Sequence, residues 1–209
     1  MENININYTS VLCFGDSNTF GFNPENFQRY DKSTRWTGVL ARLGENKFNI
    51  VEAGANNRTA FMENPTGDDF TGVKILPKYL EKGVFDVIIL AVGANDLQFA
   101  YNTTKKDFEV GIAKLIDITR EFQPNSRIIL LIPSVLTDNV LKSKLFSQMF
   151  DETSIEKSHQ LVEIYHKIAQ EKNCECIDLN KIAETSVDGL HYSADGHKAI
   201  ASYINNYLT

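Results

Sequence analysis

Ser10-Val11-Leu12-Cys13-Phe14-Gly15-Asp16-Ser17-Asn18-Thr19 is a short apolar run that breaks abruptly into a polar turn at a glycine. Further short runs rich in β-branched or aromatic residues follow at Phe48 to Ala53, Phe85 to Val92, Arg127 to Ile132 and Cys174 to Asp178, and read as strands. Between them lie longer amphipathic stretches with helical spacing: Thr34 to Leu43 behind a Ser33 cap, Gly72 to Lys82, Phe108 to Phe122, Ser154 to Lys172 and Ala194 to Tyr207. Strand and helix in alternation are the sign of βαβ units. The pattern predicts an α/β fold, a three-layer α/β/α sandwich over a five-stranded parallel sheet.

The rest of the chain narrows the class. Of 209 residues 43% are apolar, roughly 90 side chains, which suits one core, and no repeat or linker interrupts the series, so residues 1–209 read as a single domain. Lys and Arg number 21 against 27 Asp and Glu, a net charge of −6, the wrong sign for a surface that tracks phosphates, so no nucleic-acid partner is expected. The longest apolar runs fall far short of the ~20 residues that span a bilayer, and Met1 to Ser10 carry no basic leader, so a cytoplasmic protein without membrane contact is expected. Cys13, Cys174 and Cys176 are an odd count without a second ligand pair, a poor zinc signature, and no metal is expected. Pro133 to Glu152 is the least regular stretch. Its Leu141, Leu145, Phe146, Met149 and Phe150 have partial helical spacing, open to three readings: a lid, a contact between copies in a homo-oligomer, or a helix packed on its own domain.

In open parallel sheets ligands bind beyond the carboxyl ends of strands. Those ends here are polar: Gly15-Asp16-Ser17-Asn18, Gly54-Ala55-Asn56-Asn57-Arg58-Thr59, Gly93-Ala94-Asn95-Asp96 and, after the fifth strand, Val187-Asp188-Gly189-Leu190-His191. Together they resemble, in order, the four blocks of the SGNH (GDSL-type) hydrolases: Gly-Asp-Ser with Ser17, a glycine at Gly54, Gly-x-Asn-Asp with Asn95, and Asp-x-x-His with Asp188 and His191. Phe14 to Phe22, Arg35 to Leu40, Val51 to Gly54 with Arg58-Thr59, and Val187 to His191 look like the arylesterase branch, which includes acyltransferring, perhydrolytic enzymes. Phe20-Gly21-Phe22 stands where that branch often has Trp-Gly-Trp, and Glu52 where the wider family often has Asn. The resemblance implies a flavodoxin-like sandwich (the SGNH hydrolase fold), serine esterase activity without cofactor, and frequent assembly into oligomers, so that with the apolar Leu141 to Phe150 stretch a homo-oligomer is expected.

The residue chemistry points the same way. A serine hydroxyl is a weak nucleophile that needs an adjacent base, itself oriented by a third group. Ser17 sits where a strand turns into a helix. Among four histidines, His159 and His166 share one face of an amphipathic helix and His197 falls inside the last helix, which favours packed or solvated roles, whereas His191 lies in a loop. Asp188, three residues before it, can hold the imidazole Nδ1–H and turn Nε2 toward Ser17. The oxyanion of acyl transfer needs fixed donors, assigned to the Ser17 and Gly54 backbone N–H groups and the Asn95 amide, provided the first three strands are neighbours as the family order implies. Asp16 and Asp96 read as structural, and Arg58 as a cleft-wall or salt-bridge residue. Phe20, Phe22, Trp36 and Asn56 are assigned to the substrate pocket, with the rings closing an acyl tunnel.

The expected function is a serine esterase or acylhydrolase that cleaves small-molecule esters of short, acetyl-like acyl groups through an acyl-enzyme, with acyl transfer to nucleophiles besides water. Alternatives are a carbohydrate O-acetyl esterase or thioesterase of the same fold, or a flavodoxin-like binding module without turnover. The last is disfavoured because neither glycine-rich phosphate motif, Gly-x-Gly-x-x-Gly nor Gly-x-x-x-x-Gly-Lys-Ser/Thr, occurs.

Overall fold

The apolar runs form five strands, β1 (Thr9–Gly15), β2 (Phe48–Gly54), β3 (Val87–Ala91), β4 (Arg127–Ile132) and β5 (Glu175–Asp178), in a computed structural model that describes residues 8–209. Met1 to Asn7, on which most of the reading of an absent leader rests, lie outside the described residues. All pairings are parallel and the order across the sheet is β2-β1-β3-β4-β5. Among the described residues seven helices accompany the strands, six between them and the last after β5: α1 (Ser17–Phe20), α2 (Trp36–Leu43), α3 (Gly72–Leu80), α4 (Lys105–Phe122), α5 (Asn139–Lys142), α6 (Glu152–Glu171) and α7 (Ala194–Leu208).

Successive side chains of a strand point to opposite faces, and both faces here are buried. Leu12, Phe14, Ile88, Leu90 and Leu130 join a core with α3, α4 and α6. Val11, Cys13, Val87, Ile89 and Leu131 join a second core with α2 and α7. The result is the expected three-layer sandwich.

Helix starts differ from the apolar spacing because caps set them. Capping boxes, Thr104 with Asp107 and Asp151 with Ser154, start α4 and α6 ahead of their first apolar residues. Ser33 is no cap: its hydroxyl donates to Asp31 Oδ1 at 2.7 Å, and α2 begins only at Trp36. Helix α3 stops at Leu80 and β3 starts two residues later than read, at Val87.

Residues 133–152 pack on their own fold. Leu136, Val140, Phe146 and Phe150 are buried in the α4/α6 core, Leu141 and Met149 lean against it, and of the five apolar residues singled out only Leu145 is exposed. At the opposite edge of the sheet, Glu52 on β2 gathers the stretch before α2. Its carboxylate accepts from Arg35 Nη2 at 2.7 Å, Arg29 Nη2 at 3.2 Å and Thr37 Oγ1 at 3.0 Å. Burial alone would raise this carboxyl, but the arginines and Thr37 outweigh it and hold the group below its usual value.

The exit of β3 is locked from the α6 side. Tyr165 Oη donates to the Val92 carbonyl at 2.6 Å, and the next residue, Gly93, has φ +126°. A Cβ at Gly93 would stand 2.1 Å from that hydroxyl oxygen. Gly93→Ala is therefore expected to destabilise the fold by about 1–3 kcal/mol, through overpacking and a backbone angle alanine resists. Urea unfolding that leaves the midpoint unchanged would show that Tyr165 yields without cost.

Candidate active site

Strand β1 ends at Gly15 and the chain turns at once into α1, so Ser17 is the first helical residue and its N–H has no acceptor within the helix. Asp16 caps the turn, its Oδ1 accepting the Asn18 N–H at 2.9 Å. The loop after β5 returns across the sheet and places His191 Nε2 2.8 Å from Ser17 Oγ, with His191 Nδ1 2.6 Å from Asp188 Oδ2. The other Asp188 oxygen accepts the Leu190 and His191 N–H groups at 3.0 and 2.9 Å. Burial would raise the Asp188 carboxyl, yet the hydrogen bonds and charge of His191 and the two backbone donors hold it below its usual value. An ionised, fixed carboxylate of this kind keeps the Nδ1–H tautomer and leaves Nε2 free to accept a proton from Ser17.

Ser17 and His191 open into a cavity of about 280 Å³. One side is apolar, with Phe22, Leu145, Phe146, Met149, Phe150 and Leu190; the other carries Asn56, Asn57 and Asn95. Of the four residues assigned to the substrate pocket, Phe22 and Asn56 line this cavity, and Phe20 and Trp36 do not. Phe20 lies under the Arg29 guanidinium, 4.5 Å from its ring centre, away from the cavity. Trp36 begins α2 on the other side of the sheet and lines a separate internal hollow of about 20 Å³. An open groove of about 780 Å³ elsewhere is larger, but its His159 and Ser186 share no hydrogen bond, whereas the smaller cavity holds the bonded Ser17 and His191.

The donor assignment needs one correction. Ala55 N–H donates to the Gly15 carbonyl at 3.2 Å, so in the parallel ladder the preceding N–H, that of Gly54, faces the open edge of the sheet. Gly54 is instead a packing glycine, where a Cβ would stand 2.2 Å from the Phe20 nitrogen of α1. Three residues on, Asn57 adopts a left-handed φ of +58°, lines the cavity, and among the described residues its N–H meets no acceptor. Asn95 lines the cavity with one amide hydrogen given to the Arg58 carbonyl at 3.0 Å. Gln98, which sequence reasoning missed, ties both to each other, donating to Asn57 Oδ1 at 2.9 Å and Asn95 Oδ1 at 3.3 Å. An Asn-Asn pair after a strand hints at the left-handed turn; nothing in the sequence marks Gln98.

Arg58 is neither cleft wall nor salt bridge. It is buried, donates to the Gly15 carbonyl at 2.9 Å and the Ala53 carbonyl at 2.5 Å, and stacks 4.6 Å over the Phe14 ring. Asp96 is structural as read: its carboxylate accepts the Ala60, Phe61 and Met62 N–H groups at 2.6, 3.0 and 3.0 Å. His197 is buried in the second core, its Nδ1 accepting the Trp36 N–H at 3.3 Å, and burial pushes it down to about 3, which removes it as a base at neutral pH. The three cysteines are free thiols, and among the described residues no cluster of three or more His, Cys, Asp or Glu could hold a metal ion. No described helix is long and apolar enough to cross a membrane.

Burial dominates at Asp16 and pushes its carboxyl up to about 7, against the Asn18 hydrogen bond and the Arg58 charge, which favour ionisation. The folded state therefore holds the Asp16 proton more tightly than the unfolded chain. Its contribution to stability is fully present below the unfolded value near 4 and is lost as pH rises to about 7. Asp16→Asn should remove that part of the slope. The check is the urea midpoint of both proteins from pH 4.5 to 7.5, and parallel curves would refute it.

The sequence matches the model of the GDSL-like lipase/acylhydrolase family over residues 13–199. Among solved structures, the M. smegmatis aryl esterase is 25% identical, with a TM-score of 0.88 over 96% of this chain and 98% of that one. A carbohydrate acetylesterase family member from Sinorhizobium meliloti is 26% identical, with a TM-score of 0.88 over 96% and 97%. The structure of Est24, a carbohydrate acetylesterase from Sinorhizobium meliloti, is 28% identical, with a TM-score of 0.87 over 95% and 97%. No curated protein matches the sequence. With the family matched across nearly the whole chain and the sandwich shared with these esterases, the chain belongs to the GDSL-like lipase/acylhydrolase family and is a serine ester hydrolase.

Proposed function

We propose that the enzyme cleaves esters of short acyl groups through an acyl-enzyme on Ser17, with His191 as general base and acid and Asp188 as its orienting partner. The observation that carries this is the buried hydrogen-bonded chain from Ser17 to His191 to Asp188, 2.8 and 2.6 Å, at the wall of the cavity. His191 Nε2 takes the Ser17 hydroxyl proton as Oγ attacks the ester carbonyl carbon. The tetrahedral oxyanion is met by the N–H groups of Ser17 and Asn57 and the amide of Asn95. Collapse breaks the bond to the leaving alkoxide, which receives the proton from His191. Water, deprotonated by the same nitrogen, then attacks the acyl-enzyme, and the carboxylic acid leaves as Oγ is reprotonated.

Ser17→Ala and His191→Ala are each expected to lower kcat by several decades while the thermal midpoint stays within a few degrees. More than a tenth of wild-type kcat in either purified variant would remove that residue from the chemistry.

Phe22, Phe146 and Phe150 close the apolar side of the cavity, which is small for a ligand site. This favours acetyl to butyryl groups. It also favours an acyl-enzyme shielded from bulk water that can pass its acyl group to a small alcohol or to hydrogen peroxide. The amides of Asn56 and Asn57 on the other side suit a hydroxyl-rich leaving group, and the acetylesterase neighbours make an O-acetylated carbohydrate the second reading.

An open tunnel would gain about fourfold per buried methylene, roughly 200-fold from butyrate to octanoate. Here kcat/KM for p-nitrophenyl esters is expected to peak at acetate or butyrate and fall by octanoate. A continuing rise through octanoate would replace the closed pocket with a tunnel.

A further inference from the structure

The loop that carries His191 comes from the far side of the sheet, and most of its tethers belong to that side. Ser186 N–H donates to the His191 carbonyl at 2.6 Å, Ser134 Oγ to the Leu190 carbonyl at 2.9 Å, and Thr137 N–H to the Gly189 carbonyl at 3.1 Å. Asp188 binds within the loop itself. None of these bonds fixes the loop relative to α1, where the nucleophile sits. One side chain does. Asn18 Oδ1 accepts the Tyr192 N–H at 3.1 Å, and Asn18 Nδ2 donates to the Leu190 carbonyl at 3.3 Å.

Asn18 thereby grips the backbone on both sides of His191 from the helical position next to Ser17, across 174 and 172 residues of sequence. Its amide makes no side-chain bond within α1, whose first turn is capped by Asp16. Apart from this clamp, the only hydrogen bond between α1 and the loop among the described residues is the one from Ser17 to His191. That bond must break and re-form in every turnover, as the Ser17 proton leaves and returns.

We propose that Asn18 is the positioning residue that holds His191 in register with Ser17 while their own hydrogen bond is exchanged, a role that rests on the catalytic reading of that pair. With the clamp removed, the loop keeps its distant tethers and its fold but loses its fixed distance to α1. A displacement of about 1 Å between reacting groups can cost about 100-fold in rate.

The test is a double-mutant comparison with p-nitrophenyl acetate, whose phenolate leaves without a proton and so keeps the rate measurable without His191. Asn18→Ala in the wild type is expected to lower kcat about 10- to 100-fold with KM changed less than about threefold. Asn18→Asp, which keeps the acceptor for Tyr192 and loses the donor to Leu190, is expected to recover part of the loss. In the His191→Ala background Asn18→Ala should change kcat by less than about twofold, because residues that act as a unit are not additive.

Equal losses in both backgrounds would make Asn18 a structural residue and overturn the proposal. So would wild-type kcat in Asn18→Ala, or a change confined to KM. If His191→Ala alone kept wild-type kcat, the catalytic reading would fall and the clamp with it. If only the two backgrounds behaved alike, the catalytic reading would stand without the clamp. Should Asn18→Ala fail to fold, Asn18→Asp and Asn18→Ser in both backgrounds decide the same question.

Discussion

Gly15 stands in parallel register with Gly54 on one side and Ala91 on the other, so three strands end at one level, and the site is built on that level. The chain leaves β1 for β2 at one edge and later returns to β3 on the opposite side of β1, which opens the crevice where strand order reverses. Ser17, Asn57 and Asn95 follow these three strands directly and reach the crevice with little loop. His191 follows β5, three strands from β1 and, at about 4.8 Å per strand, roughly 14 Å away. His191 has to be carried back across the ends of β4 and β3. That distance is why its loop is so heavily tethered, first to Ser134 beyond β4 and finally to α1.

Three buried carboxylates around this level show how local partners decide ionisation. Asp96 accepts three backbone N–H groups, yet burial wins and pushes it up to about 6. Asp188 accepts two backbone N–H groups and is held below its usual value, because its third partner is an imidazole that can carry a compensating charge. Asp16 has Arg58 nearby, but that guanidinium is spent on the Gly15 and Ala53 carbonyls, and the carboxyl is pushed up to about 7. Backbone dipoles alone do not offset full desolvation here; a chargeable partner in direct contact does. Of these three, the one in contact with such a partner is Asp188, which faces His191.

These differences also explain what could be read from the sequence. The strands and the pairing of Asp188 with His191 were legible because they are local: an uninterrupted apolar run, or two residues three apart beside a glycine. β4, Arg127–Ile132, matches residue for residue. Helix starts were less legible because polar caps such as Thr104 carry no apolar signal. Phe20 and Trp36 were assigned to the pocket by nearness to Ser17 along the chain, but α1 turns Phe20 toward Arg29 and α2 buries Trp36 on the opposite face of the sheet. Gly54 shows the ambiguity of a glycine after a strand: close approach is needed, but to the backbone of α1 and not to a substrate. The wall formed by Phe146, Met149 and Phe150 arises from a segment without regular spacing, whose place only the tertiary packing decides.

The aromatic wall also touches His191. The Phe22 ring centre lies 4.5 Å from the imidazole centre and the Phe146 ring 5.2 Å away, at tilts of 43° and 53°. These rings close the apolar side of the cavity and also hold the imidazole of His191, which is almost wholly buried. The side chains that line the apolar side of the cavity are therefore also the ones that fix the plane of the imidazole. Widening the cavity at Phe22 or Phe146 would loosen the histidine at the same time, so under the proposed function acyl-chain preference and turnover would be coupled through two shared aromatic contacts.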